Sequence, residues 1–185
     1  MSQCTNSKVF NTDDFNSSDG MLTSVWGPSL WHSLHTITFN YPVNPTDLQK
    51  KDYYNFFLSL NKILPCKYCR ENYKKNIVSV PLNFSVMKNR ETLSKWLYKL
   101  HEEINRMLGK TSNLSYEDVR ERYEMFRARC INDKKGITKK TKVVKKEKGC
   151  VKPLYGVKSK CVINIVPKNK KCKTFKIDKR CKLAR

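Results

Sequence analysis

Pro65-Cys66-Lys67-Tyr68-Cys69-Arg70 sets two cysteines two residues apart at an expected helix start. A helix N-terminus and nearby cations, here Lys67 and Arg70, favour thiolate over thiol and make the sulfur a better nucleophile. The spacing lets both sulfurs join in one disulfide across a helical turn, as dithiol/disulfide exchange requires. A zinc half-site shares this spacing, but no second Cys/His pair follows at ligand spacing in the folded segment. A thioredoxin-type reading fails because no βαβ pattern surrounds the pair. Redox chemistry is favoured from the pair alone, with metal binding and plain structural cysteines as the alternatives.

Two further pairs of polar or aromatic residues sit four apart, so each pair shares one helix face. They are Trp31 with His35, and His101 with Asn105. A single histidine on an apolar face is usually a satisfied core residue. Two such pairs aimed into one bundle, beside Trp96 and a redox pair, instead suit a flat aromatic cofactor whose edge is fixed by polar groups.

The elements that must position these residues read as helices. Residues 51–64 carry Tyr53, Phe56, Phe57, Leu60, Ile63 and Leu64, the stripe of an amphipathic helix. Residues 89–108 repeat it with Leu93, Trp96, Leu97, Leu100, Ile104 and Leu108, and Gly109 stands where a left-handed C-terminal cap is wanted. Ser115 can cap another helix with Asp118 three residues on, its inner face carrying Val119, Tyr123 and Phe126. An earlier helix is expected from Pro28 to about residue 40, ended by Tyr41-Pro42, and a short fifth helix after Pro65. Nothing alternates with period two, so residues 26–131 predict an all-α bundle.

Charge marks where that bundle ends. Of 38 Lys+Arg and 16 Asp+Glu in 185 residues, the last 53 residues hold 20 and 3. The expected division is a flexible tail over 1–24, the folded domain over 25–131 and a Lys-rich tail over 132–185. The second tail carries Cys150, Cys161, Cys172 and Cys181 but only two aromatics, Tyr155 and Phe175. Its β-branched stretches (Val143-Val144, residues 162–166 and 175–177) could pair as a ribbon, though charge density favours loose order. Non-specific, salt-sensitive polyanion contact suits such a tail better than sequence readout. A zinc site on its four cysteines is a rival, weakened by their wide spacing. The 11% aromatic content supports a real core. No apolar run approaches the roughly 20 residues of a membrane span, and no signal peptide is expected at the start.

The segment resembles the Erv/ALR family of FAD-linked sulfhydryl oxidases, most of all the small versions of large DNA viruses. The resemblance lies in Trp26-Gly27-Pro28-Ser29-Leu30-Trp31-His32-Ser33-Leu34-His35, Tyr41-Pro42, Leu64-Pro65-Cys66-Lys67-Tyr68-Cys69-Arg70 and residues 97–110 around His101-Glu102-Glu103-Ile104-Asn105. It implies a four-helix bundle plus a short fifth helix, holding FAD and usually dimeric. It implies Trp31 and His35 against the flavin, and His101, Asn105 and Lys110 toward adenine, ribose or phosphate. Arg122 and Tyr123 would lie near the adenine end. Cys69 would face the flavin, and Cys66 would meet the dithiol of a protein substrate or thioredoxin-like partner. Electrons would pass to oxygen, giving peroxide. Larger members add a shuttle cysteine pair, for which Cys4 and the tail cysteines are candidates. A viral member would act in host cytoplasm or virion. Two departures stand out: the family usually reads His-Asn where this chain has His101-Glu102, and Tyr116 occupies the place of a structural cysteine, leaving Cys130 without an obvious partner.

Overall fold

The computed structural model describes residues 11–18, 20–131, 149–172 and 176–181. Helix α1 (Thr12–Asn16) is a single short turn capped by Asn11. Four long helices follow: α2 (Thr23–Phe39), α3 (Asp47–Ile63), α4 (Lys67–Ser79) and α5 (Arg90–Met107), with the nine-residue α6 (Tyr116–Glu124) after them. A 3-10 turn at Val86–Lys88 leads into α5. The four-helix bundle plus a short fifth helix expected from sequence is therefore the fold.

Local chemistry sets most of the boundaries. Thr46 with Gln49, Asn89 with Thr92 and Ser115 with Asp118 form reciprocal capping boxes that satisfy the first free N–H groups of α3, α5 and α6. Gly109 takes φ +62, and the Lys110 N–H then reaches back 2.8 Å to the Asn105 carbonyl, closing α5.

Helix α2 packs on α5 and α6, while α3 packs on α4, which also meets α5. Between them Leu34, Phe57, Leu60, Leu93, Trp96, Leu97 and Leu100 form the buried core. Three aromatic polar tips tie elements together: Tyr41 Oη donates to the Met87 carbonyl, Tyr73 Oη to Phe57 and Trp96 Nε1 to Val80, at 2.9, 2.9 and 3.1 Å. Each buries its ring without leaving an unmet donor.

Tyr116 shows what replaces the cysteine that the resemblance suggested there. Its side chain is 8% exposed, its ring packs beside Phe39 and Tyr98, and its hydroxyl lies 2.8 Å from Ser94 Oγ on α5. Noncovalent packing and one buried hydrogen bond thus dock α6.

Several expectations are corrected. Helix α2 begins at Thr23, so Pro28 lies inside it; Leu22 supplies no capping side chain, which removed the usual sequence signal. The helix after Pro65 runs 13 residues, and the short fifth helix is α6. Residues 11–22, expected within a flexible tail, contain α1 and a β-bridge from Gly20 to Cys66.

The bundle is also not purely helical. Strand β1 (Ala128–Ile131) pairs antiparallel with β2 (Gly149–Pro153), with Cys130 opposite Cys150 and a bulge beside it. The Leu154 N–H extends the ribbon to the Arg127 carbonyl at 2.9 Å. Residues 162–166 form no strand, and Val162, Ile163 and Ile165 are exposed. Val143-Val144 and Phe175 lie outside the described residues.

Candidate functional site

Cys66 is the N-cap of α4, and its Sγ accepts the Cys69 N–H at 3.3 Å. Both sulfurs are free thiols, part-buried at the mouth of the helix. Hydrogen bonding from Cys69 pulls the Cys66 thiol below its ordinary value, aided by Thr23 and nearby backbone N–H groups. Burial pushes Cys69 up, reinforced by Cys66 and opposed by Thr23 and Arg70. The outer sulfur ionises more readily than the inner one. Arg70 is the cation that acts here, with its guanidinium also donating to the Leu64 carbonyl at 2.6 Å. Lys67 is exposed and does not figure among the groups acting on either sulfur.

Helix α2 leads away from the thiols. Its first residue, Thr23, touches Cys69, and Trp31 and His35 lie eight and twelve positions further on, about 12 and 18 Å along the axis. The Trp31 indole stacks on the His101 ring at 3.8 Å and 5°. His101 Nδ1 lies 3.2 Å from His35 Nε2, joining α5 to α2.

Beside this stack a pocket is lined by His35, Tyr98, His101, Glu102, Asn105, Ser112, Leu114, Val119, Arg122 and Tyr123. Five of the expected cofactor residues (His35, His101, Asn105, Arg122 and Tyr123) therefore share one cavity. Trp31 borders it through His101. Lys110 is exposed and outside the lining, and its backbone caps α5 instead. The Tyr123 ring faces His35 at 5.2 Å and Phe39 at 5.2 Å, and burial raises its hydroxyl to about 12. His32 Nδ1 lies 3.4 Å from the same hydroxyl. Glu102 accepts a hydrogen bond from Asn105 Nδ2 at 3.1 Å, so the residue departing from the family pattern orients a pocket amide.

His32, Tyr98, Ser112, Leu114 and Thr23 were not singled out from the sequence. Ser112 and Leu114 lie on the loop between α5 and α6, which has no periodicity to reveal a face. Thr23 preceded the expected helix start. His32 adjoins Trp31 within the Trp26-to-His35 motif, the one signal in the sequence that marks it.

The pocket suits a bound polar ring. His35 Nδ1 is buried and has no hydrogen-bond partner among the described residues. Such an atom is costly unless a ligand or water meets it. Stacked aromatics and neutral imidazoles around it match the flat, polar-edged ring systems of FAD. Among the described residues no group of three or more His, Cys, Asp or Glu side chains could hold a metal. Cys150 is disulfide-bonded, whereas Cys161, Cys172 and Cys181 are free thiols.

The Erv1 / Alr family model matches residues 28–124. A protein of Acanthamoeba polyphaga mimivirus named as a probable FAD-linked sulfhydryl oxidase is 38% identical over 104 residues, covering 56% of this chain and 72% of its own length. The FAD-linked sulfhydryl oxidase ERV1 of Arabidopsis thaliana is 36% identical over 84 residues, covering 45% of this chain and 42% of its own length. The chain thus spans less than half of that plant relative. The FAD binding domain of Erv1 from Saccharomyces cerevisiae superposes with a TM-score of 0.51 at 28% identity, covering 56% of this chain and 94% of that domain.

Proposed function

The chain belongs to the Erv1 / Alr family, and on that premise we propose that it is a FAD-dependent thiol oxidase that makes disulfides in protein substrates through Cys66 and Cys69. The observation that carries this reading is the path of α2, which touches the dithiol at Thr23 and reaches the His35–His101 pocket just over three turns later. A ligand with a reactive ring at one end and a nucleotide at the other suits that separation.

His101, Asn105, Arg122 and Tyr123 would hold the nucleotide end, with Trp31 and His35 toward the reactive ring and the exposed Lys110 side chain free to meet phosphate. When bound, FAD accepts the electron pair of a dithiol and gives it to oxygen, yielding peroxide.

The chain's own part is thiol exchange. A substrate thiolate attacks Cys66 of the oxidised pair, forming a mixed disulfide and breaking the Cys66–Cys69 bond, so Cys69 leaves as thiolate. The second substrate thiolate then displaces Cys66. The substrate loses two electrons and two protons to the pair and ends as a disulfide. The electrostatics suit this order. Part of what raises the Cys69 pKa is Cys66 itself. That influence is lost once Cys66 is held in a mixed disulfide. Thr23 and Arg70 remain to stabilise the departing sulfur.

We assign the oxidase unit to residues 25–131 together with the Gly20–Ser24 approach docked on it, acting as a homodimer on protein dithiols or a thioredoxin-like partner, with 132–185 as a basic accessory tail able to contact polyanions. No described helix is long and apolar enough to cross a membrane. Virion proteins made in a reducing host cytoplasm would be suitable substrates, in line with the viral relative.

The test is direct. Purified protein should be yellow, consume oxygen with dithiothreitol and produce peroxide, and His101→Ala or Trp31→Ala should lower flavin retention. A stably folded, colourless protein that cannot be reconstituted with FAD would refute the reading.

A further inference from the structure

We propose that Thr23 is the positioning residue for the inner sulfur, its hydroxyl donating a hydrogen bond to Cys69 Sγ whenever that sulfur is ionised, with the segment before it acting as a strap that holds it there. This rests on Cys66 and Cys69 being the redox pair.

Thr23 Oγ1 lies 3.7 Å from Cys69 Sγ, within hydrogen-bond reach of a sulfur. Either atom can donate while Cys69 is a thiol. A thiolate has no proton to give, so the direction is then fixed from threonine to sulfur. Such a bond to an anion is stronger than a neutral one.

The approach is built into the backbone. Gly20 has φ +112 and forms an antiparallel bridge with Cys66. A Cβ at this position would stand 2.7 Å from the Pro65 carbonyl oxygen and 3.0 Å from Cys66 Cα. Only glycine combines that conformation with that closeness. The Met21 N–H then donates to the Pro65 carbonyl at 2.7 Å, and Trp26 Nε1 closes the turn onto the Met21 carbonyl at 3.0 Å. These contacts tie the first turn of α2 to the residues just before α4, although 46 positions separate Thr23 from Cys69.

The charged and titratable groups acting on Cys69 are Cys66 and Arg70 on its own helix; α2 contributes the Thr23 hydroxyl. Thr23 favours ionisation of both sulfurs. It therefore serves whichever sulfur carries the charge, and in a mixed disulfide at Cys66 that sulfur is Cys69.

The experiment uses the full chain carrying Cys66→Ser. The rate at which iodoacetamide alkylates Cys69, followed by peptide mass spectrometry across pH, reports thiolate at that one sulfur. Adding Thr23→Val should raise the midpoint by about one pH unit. Thr23→Ser should restore it, and Gly20→Ala, which displaces the strap, should raise it as well. A Thr23→Val profile superimposed on the parent would overturn the proposal, as would a serine profile shifted as far as the valine one. An unshifted Gly20→Ala profile would remove the strap from it. This readout needs no flavin turnover. Failure of the oxidase reading would instead appear as wild-type protein unable to oxidise dithiothreitol.

Discussion

His35 Nε2 and His101 Nδ1 lie 3.2 Å apart, so one nitrogen donates and the other accepts between two neutral rings. Burial lowers His35 from 6.5 to about 3, with the charges of His101 and His32 adding to it. Burial also lowers His101, to about 4, against an upward pull from Glu102. Burial keeps the pair uncharged near neutrality, and the contact itself requires at least one of the two rings to be neutral.

Acid should therefore loosen the bundle before its carboxylates titrate. The unfolded chain takes up both protons near pH 6.5, and the folded chain only near 3 to 4. In between, the unfolded state holds more protons, so stability is full above about 6.5 and falls as pH drops toward 3. A fully buried imidazole loses up to about 1.4 kcal/mol per pH unit in that window. Urea titrations between about pH 7 and pH 4.5 should show this fall, and His35→Asn should flatten it. Parallel falls in parent and variant would place the acid sensitivity elsewhere.

Tyr116 offers a separate test of how α6 is held. Tyr116→Phe removes the hydrogen bond to Ser94 and should cost about 1 kcal/mol, since Ser94 Oγ still donates to the Arg90 carbonyl. Tyr116→Ala should cost about 3 to 5 kcal/mol by opening a cavity. It should also weaken flavin retention, because α6 carries Arg122 and Tyr123. Denaturant midpoints at unchanged slope measure the first effect. A neutral Tyr116→Ala would mean that α6 is docked by other contacts.

The basic tail should be dispensable for chemistry. A chain ending at Asn132 keeps the dithiol and every pocket residue, so it should retain FAD and oxidise dithiothreitol. It loses β2, and with it the pairing of Ala128–Ile131. It should also lose salt-sensitive binding to polyanions in proportion to the cations removed. Loss of dithiothreitol oxidation in a folded truncated chain would put the tail in the active site.

What could be read in advance was what local chemistry encodes. Ser115 with Asp118, and Gly109, announce helix ends because caps lie within a few residues of the ends they satisfy. Trp31, His35, His101 and Asn105 were visible through their four-residue spacing. The start of α2 was hidden because Leu22 caps nothing, and Pro28 looked like a first-turn residue while sitting inside the helix. The length of α4 was hidden because its Lys- and Asn-rich sequence buries only Tyr73 and Asn76. The β-ribbon joins residues about 20 apart with no alternating pattern on either strand. Thr23 and the loop residues Ser112 and Leu114 reach the site only through tertiary contacts.

The most direct test of the central claim is the visible spectrum of two purified single variants. Cys66→Ser leaves Cys69 as a lone sulfur, which the proposed function sets on the flavin side. It should show a broad long-wavelength charge-transfer band that fades as pH falls below the Cys69 pKa. Cys69→Ser should show none, and both should lose turnover because no exchangeable disulfide remains. A band in Cys69→Ser instead would reverse the roles of the two sulfurs. No band in either, with oxidase activity kept in both, would contradict the claim that Cys66 and Cys69 are the redox pair.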